Sequence, residues 1–251
     1  MRYALLVEYS GKFFSGWQVQ PGLRTVQGEL ERALRVLFKS EIRVTGAGRT
    51  DAGVHATGQV ASFDLNYEVD LRRLLLSLNG ILPSDVSIVA TARVSDDFHP
   101  RYSTKNKIYE YRVLNRRGRP SLFSDTVYHF HYNLNLEMVT KGMEVLNSIT
   151  DFSAFKASDN ECKGEVRKVR IDLYESEPDL YVFRFEGRAF YKNMIRIIMG
   201  TLLRLGKGDI DIDRFCEIVR SGDRRLACET APARGLILRR VIYEPEINWE
   251  K

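Results

Sequence analysis

The sequence predicts an α+β protein made of two ferredoxin-like halves, each running β-α-β-β-α-β. Three observations lead there. Short segments that alternate apolar and polar residues, such as VSIVATARV at 86–94, read as half-buried strands. Longer segments repeat apolar residues at helical spacing behind a capping residue. The order of these segments in the first half recurs in the second, with no obvious sequence repeat. At 251 residues the chain can form one large domain or two modest ones, each with its own core.

In the first half, residues 2–9 read as a strand. Thr25 is a candidate N-cap for a helix over 26–39, whose stripe is Val26, Leu30, Ala33, Leu34, Leu37 and Phe38. Strands are predicted at 41–45 and 58–64, flanking a glycine-rich loop. Asp70 can cap a helix carrying Leu71, Leu74, Leu75 and Leu78, and the 86–94 strand closes the half. In the second half a lead strand is predicted at about 106–114 and another at 127–131. A helix over 135–148 follows, with Leu136, Val139, Met143 and Leu146 on one face. Strands at 166–175 and 180–187 are joined by the turn SEPD. A long helix at about 190–205, a short one at 211–220 capped by Asp211, and a strand at 236–243 complete the order. The division falls between domains 1–103 and 104–251. Two such halves side by side would join their sheets and leave a cleft, a favoured place for a ligand.

Composition narrows the class. Hydrophobic content of 44% and charged content of 28% are ordinary for a soluble globular protein. No stretch approaches a membrane span, and the opening MRYALLVEYS alternates like a strand rather than running apolar like a signal peptide, so a cytoplasmic location is expected. The three cysteines, Cys162, Cys216 and Cys228, are widely spaced without a CxxC, which argues against a zinc site or a disulfide framework. His129 and His131 share a strand face, yet no companion carboxylate or cysteine motif makes them a metal site. The net charge is +5. Basic residues cluster at Arg116–Arg119, Lys163–Arg170 and Asp223–Arg225, with Lys12 and Arg24 as further candidates for phosphate contacts. On composition alone, such clusters read first as a solvated surface.

The segment TGAGRTDAGVH, Thr45 to His55, holds one carboxylate, Asp51, among three glycines. Glycines let the backbone turn sharply and let a large ligand approach. The GxG at Gly46 and Gly48 is not a dinucleotide fingerprint. Asp51 stands where the third glycine belongs, and a carboxylate repels a pyrophosphate. Asp51 and His55 are four apart with no helix signal, so a metal pair stacked on one helical face is not supported. Glycosidases use two carboxylates and the loop supplies one, which favours a reaction that needs a single acid as nucleophile or charge stabiliser.

The motifs extend well beyond this loop. GRTDAGVHA (Gly48–Ala56) resembles the nucleophile motif of the tRNA pseudouridine synthase A family. FSGWQVQ (Phe14–Gln20), RTVQGELERAL (Arg24–Leu34), FHPRYS (Phe98–Ser103) and IYEYRVLN (Ile108–Asn115) are similar to further family segments. DFSAF (Asp151–Phe155), NMIRIIMG (Asn193–Gly200) and APARGLILRRV (Ala231–Val241) follow in family order, so the resemblance covers nearly the full chain. It implies the pseudouridine synthase fold, with a catalytic cleft between the halves. It also implies isomerisation of uridines at tRNA positions 38–40, on the 3′ side of the anticodon stem-loop. On this resemblance Asp51 is the catalytic aspartate and Arg196 the basic catalytic residue that approaches it from the second domain. Tyr109 lies against the target uracil and Arg49 supports the displaced RNA backbone, while Arg24 and His55 are further substrate-binding candidates. No metal or organic cofactor is required, and a homodimer bridged by one tRNA is implied. The chain departs from the family pattern at FYKNM (Phe190–Met194), usually more apolar, and at NSITDF (Asn147–Phe152), which lacks a glycine-histidine lead-in.

Two other functions remain compatible with the residues. Ferredoxin-like halves also form RNA-recognition modules, although this chain has no clear RNP1-type aromatic motif and a binder has no use for Asp51. A nucleoside or glycoside hydrolase would release free base and would need a second acid or a water activator.

Overall fold

The computed structural model describes residues 1–157, 166 and 168–251. Cys162, Lys163 and Arg167 lie outside the described residues. The chain forms two units, one of Met1–Lys107 with Ile237–Lys251 and the other of Ile108–Leu236. The C-terminal strand groups with the first unit.

In the first unit the order is β1 (Arg2–Tyr9), α1 (Val26–Phe38), β2 (Thr45–Gly46), β3 (His55–Asp64), α2 (Leu71–Ile81) and β4 (Val86–Val94). β1 is central, antiparallel to both β3 and β4. β2 adds antiparallel to the far end of β3, through Thr45↔Ser62 and Gly46↔Ala61. This is the expected β-α-β-β-α-β order, with sheet sequence β4-β1-β3-β2. Thr25 caps α1 by accepting from the Gly28 N–H, and Asp70 caps α2 by accepting from Arg73, as their side-chain chemistry predicts. α1 buries Val26, Leu30, Ala33 and Leu34, and α2 buries Leu74 and Leu78. Phe63 of β3 joins the two layers, stacked on Tyr3 at 5.7 Å and tilted against Phe38 at 6.4 Å.

The strand predicted at 41–45 is corrected to the two residues of β2. Ile42 and Val44 are buried as the alternation requires. However, the Val44 backbone is satisfied by α1 side chains. Its N–H donates to Glu31 Oε1 at 3.0 Å, and its carbonyl accepts from Gln27 Nε2 at 3.0 Å. A neighbouring strand is therefore not needed there.

The second unit contains β5 (Thr104–Leu114, from Ile108 onward), β6 (Tyr128–His129), α3 (Leu136–Ser148), β7 (Val169–Glu177), β8 (Leu180–Gly187), α4 (Met194–Lys207) and α5 (Ile212–Ser221). Its strands run β5-β8-β7, with β6 parallel to β5. The strand predicted at 127–131 is shortened to β6, because β5 ends at Leu114 and Asn115 Nδ2 takes the next carbonyls, Phe130 O at 2.7 Å and Tyr132 O at 2.8 Å. α4 is buried almost all round, which makes it the unit's central helix. It lies close to α3 through Gly142, where a Cβ would come within 2.8 Å of Leu202 and Leu205.

The last strand, β9 (Leu236–Tyr243), matches its predicted span and pairs parallel with the start of β3 through His55↔Ile237 and Ala56↔Leu238. Gly58 permits this approach, since a Cβ there would stand 2.2 Å from the Arg239 carbonyl oxygen.

Arg24 fastens the entry to α1 onto the loop before β4. Its guanidinium grips Asp85 with two hydrogen bonds of 2.7 and 2.8 Å, and its Nε donates to Glu29 at 3.0 Å. Hydrogen bonding from Arg24 holds the Asp85 carboxyl below the usual carboxylate range. A depressed folded-state value stabilises the fold above the unfolded pKa, about 3.9, and that contribution is lost as pH falls through the folded value. Asp85→Asn is expected to cost about 1–3 kcal/mol at neutral pH. Its deficit relative to wild type should shrink below about pH 4, and melting curves across pH with an unchanging deficit would refute the linkage.

Candidate active site

Residues 47–54 connect β2 to β3 without regular structure, and yet the segment is fixed. The Ala47 N–H donates to the Val60 carbonyl at 2.8 Å. The wholly buried Gln59 donates from Nε2 to the Gly48 carbonyl at 2.9 Å. Thr50 is held twice, its hydroxyl 2.8 Å from the Tyr9 hydroxyl and its carbonyl accepting from the Trp17 N–H at 3.0 Å. Burial pushes the Tyr9 phenol well above the ordinary tyrosine range, so it stays protonated and able to donate. The loop also fits against Trp17. A Cβ at Gly46 would sit 2.5 Å from the indole, and one at Gly16 would sit 2.7 Å from the Thr50 carbonyl oxygen. Gly16 has φ +96°, a conformation that glycine adopts without strain.

Asp51 follows Thr50 directly and is half-buried. Its carbonyl accepts from the Val54 N–H at 3.1 Å, closing a turn over Ala52 and Gly53. Gly53 has φ +79°, as the third residue of a type II turn requires. The carboxylate thus sits between a doubly anchored threonine and a glycine turn that leads into β3. Arg49 is exposed on the other side of Thr50. His55, the first residue of β3, is buried, and its Nδ1 accepts from the Gly11 N–H at 3.1 Å.

In the second unit Tyr109 lies on β5 with 8% of its surface exposed, its ring edge-on to Phe190 at 5.1 Å. Arg196 lies in the first turn of α4. Its Nε donates to the Ala231 carbonyl at 2.8 Å and a terminal nitrogen donates to Asn193 Oδ1 at 2.8 Å. Asn193 occupies the N-cap position with φ +59°, but its side chain makes no cap bond and holds the arginine instead. This gives part of the departing FYKNM segment a role: Phe190 packs against Tyr109 and Asn193 orients Arg196.

The first unit therefore groups Asp51, Arg49 and His55 on one loop and its exit strand. Arg24 belongs to a different contact, with Asp85 and Glu29 on its guanidinium and Phe14 under it at 4.2 Å. A phosphate reaching Arg24 would have to displace Asp85. The residues that position the site without being candidates in the sequence are Tyr9, Thr50, Gln59, Asn193 and Ala231. None of them stands out by composition or spacing in the sequence. Among the described residues no group of three or more His, Cys, Asp or Glu could hold a metal ion, and no helix is long and apolar enough to cross a membrane.

A sequence model of the family described as tRNA pseudouridine synthase matches residues 5–103 and 149–244. The chain belongs to the tRNA pseudouridine synthase family, isomerases that act on uridines of tRNA. Among its relatives, the tRNA pseudouridine synthase A of Thermoanaerobacter sp. (strain X514) is 40% identical over 239 residues, covering 95% of this chain and 98% of the relative. The enzyme of that name from Myxococcus xanthus is 41% identical over 243 residues, covering 96% and 92%. That of Streptococcus mutans is 38% identical over 247 residues, covering 97% and 99%.

Tyr9→Phe removes one hydroxyl and leaves the Thr50 hydroxyl buried without that partner. The expected cost is about 1–3 kcal/mol, or roughly 2–10 °C in Tm for a chain of this size. Activity should fall with it, while affinity for tRNA stays within about three-fold, because the lost contact positions the loop and touches no RNA. Unchanged melting and unchanged rate together would remove Tyr9 from this role.

Proposed function

We propose that this chain converts uridines at the 3′ side of the tRNA anticodon stem-loop, positions 38–40, to pseudouridine with Asp51 as the catalytic carboxylate. The observation that carries this is the half-buried Asp51 on an anchored glycine loop, in a chain whose family isomerises tRNA uridines. The reaction breaks the N1–C1′ bond, turns the uracil, and joins C5 to C1′. The proton lost from C5 is balanced by one gained at N1, so no co-reactant is consumed. One ionised carboxylate suffices, whether it attacks C1′, adds to C6 or assists through a glycal.

Each remaining residue has a task in this scheme. A target uridine inside an RNA arm must leave the stack, at a cost of about a few kcal/mol. Tyr109 lies against the flipped uracil, and base–aromatic stacking returns roughly 1–3 kcal/mol, with Phe190 bracing the ring from its edge. Arg196 is the second catalytic group, presented by Asn193 and the Ala231 carbonyl, and its charge favours an ionised carboxylate. Arg49 supports the backbone of the displaced strand. His55 serves the substrate through the loop it supports, and Arg24 through the segment it fixes. The same reading includes a homodimer bridged by one tRNA and a cytoplasmic location, both supported by the family relationship.

Asp51→Ala should abolish pseudouridine formation on unmodified tRNA, read by chemical labelling, while tRNA affinity stays within a few-fold. Full activity in that variant would sink the mechanism, and release of free uracil by the wild type would replace isomerisation with hydrolysis. Arg196→Met should lower kcat by about 100-fold or more, the scale on which one electrostatic stabiliser is lost. The acidic limb of its pH–rate profile should move to higher pH, because a carboxylate without a nearby cation is harder to ionise. A wild-type profile in Arg196→Met would remove it from the catalytic groups.

A further inference from the structure

Beside the Asp51 loop, within the first unit, lies a cavity of about 230 Å³. Its walls include Trp17, Gln18, Arg49, His99, Arg101 and Tyr102, and it reaches Gly48, three residues before Asp51. No carboxylate lines it. Arg101 has no ion-pair partner among the described residues, in contrast to Arg24. The cavity thus offers the Arg101 guanidinium to an anion.

It also offers an exposed aromatic ring. The rings of Tyr102 and His99 lie 4.3 Å apart and 36° from parallel, and Tyr102 is 72% exposed. A single exposed tyrosine is ordinary; a rigidly held one over a basic cavity is a stacking surface. The segment that carries it is firmly tied. The His99 N–H donates to Ser103 Oγ at 3.1 Å, and the Arg101 N–H to His99 Nδ1 at 3.2 Å. The Pro100 carbonyl accepts from Thr104 Oγ1 at 2.8 Å and from the Tyr243 hydroxyl at 2.7 Å. Burial, and then the charges of Arg2 and Arg101, lower the His99 pKa, which keeps its ring neutral at pH 7. A neutral imidazole beside a phenol suits the face of a base. The cavity is smaller than the ~300–1,000 Å³ of pockets that enclose drug-sized ligands.

Resting on the function proposed above, we infer that this cavity takes one unpaired RNA nucleotide that flanks the target uridine. Its base stacks on Tyr102 and its phosphate meets Arg101. The loop that carries Asp51 is one wall of this subsite, so a nucleotide seated here sets the register of the strand relative to the carboxylate.

The test uses full-length protein in an Asp51→Ala background, which removes turnover, and an anticodon stem-loop RNA with 2-aminopurine beside the target. Adding Tyr102→Ala should weaken binding by roughly 5- to 100-fold, the worth of one base–aromatic stack, and abolish the 2-aminopurine fluorescence change. Tyr102→Phe should bind within about two-fold of the parent, because the ring and not the hydroxyl is needed. Arg101→Gln should lower the slope of log affinity against log salt by about 0.7, one single-strand phosphate contact. This readout is independent of the tyrosine and serves if Tyr102→Ala melts abnormally. In the active protein the Tyr102→Ala effect should appear in KM. Wild type that makes pseudouridine, with Tyr102→Ala binding RNA as tightly as its parent and Arg101→Gln keeping the full salt slope, would overturn the subsite and leave the function standing. Wild type that makes none overturns the function itself.

Discussion

The first unit depends on how a half-buried carboxylate can be held on backbone that belongs to no helix and no strand. Thr50 solves most of it. Its carbonyl is fixed by the Trp17 N–H, and its side chain is fixed by a phenol from the central strand β1. Both anchors are buried or nearly so, with Tyr9 and Trp17 each 3% exposed, where a hydrogen bond is costly to break. Gln59 and Val60 of β3 then hold Gly48 and Ala47 from the opposite side. Asp51 therefore inherits its position from rigid sheet elements, although it sits on a loop. The glycines serve contact as much as flexibility, since Gly46 exists for the Trp17 indole and Gly16 for the Thr50 carbonyl.

The same distinction separates the basic residues. A net charge of +5 suggests a phosphate-binding surface, yet much of that charge is already committed. Arg24 is bound by Asp85 and Glu29, and Arg225 by Asp223, whose carboxyl Arg225 holds down at about 2. Arg224 donates to the carbonyls of Ala227 and Cys228. These arginines fasten loops. An anion would compete with a carboxylate or a carbonyl at each of them, whereas Arg101 faces a cavity without such a competitor. Counting basic residues along the chain overstates the surface that is available to RNA.

What could be read from the sequence follows the range of the interaction concerned. Caps are local, and Thr25, Asp70 and Asp211 each accept from the N–H three residues on, as their types and places imply. The β9 span was legible because its apolar residues, Leu236, Ile237, Leu238, Val241 and Tyr243, are the buried ones. The stretch 41–45 was not, since Ile42 and Val44 alternate properly and only the destination of the Val44 hydrogen bonds, on Gln27 and Glu31, decides against a strand. In the site, the glycine loop pointed to Asp51 through its composition and its family resemblance. Its supports lie 11 to 41 residues from the loop residues they hold, from Gln59 on Gly48 to Tyr9 on Thr50, and no periodicity reveals such pairings. Asn193 is a sharper case. A residue at an N-cap position should bond the helix N-terminus, and here it orients Arg196 instead, a choice that only tertiary placement can make.

The path of the chain explains why the loop needs the far end of the sequence. The chain leaves the first unit after Lys107 and returns at Ile237. On its return β9 pairs with His55 and Ala56, the first two residues of β3 and the exit of the Asp51 turn. Without β9 these residues would be paired on the β1 side alone, where the register is already shifted between Val7 and Tyr9. The Gly58 position shows how close the return strand comes, because no side chain fits between β3 and the Arg239 carbonyl. Residues 1–103 alone thus contain every group that holds Thr50 but lack the strand that secures the other end of the turn. A carboxylate fixed at its entry and loose at its exit would sample several directions. Closing the first unit with the last strand of the chain makes the aspartate's geometry contingent on the whole polypeptide having folded.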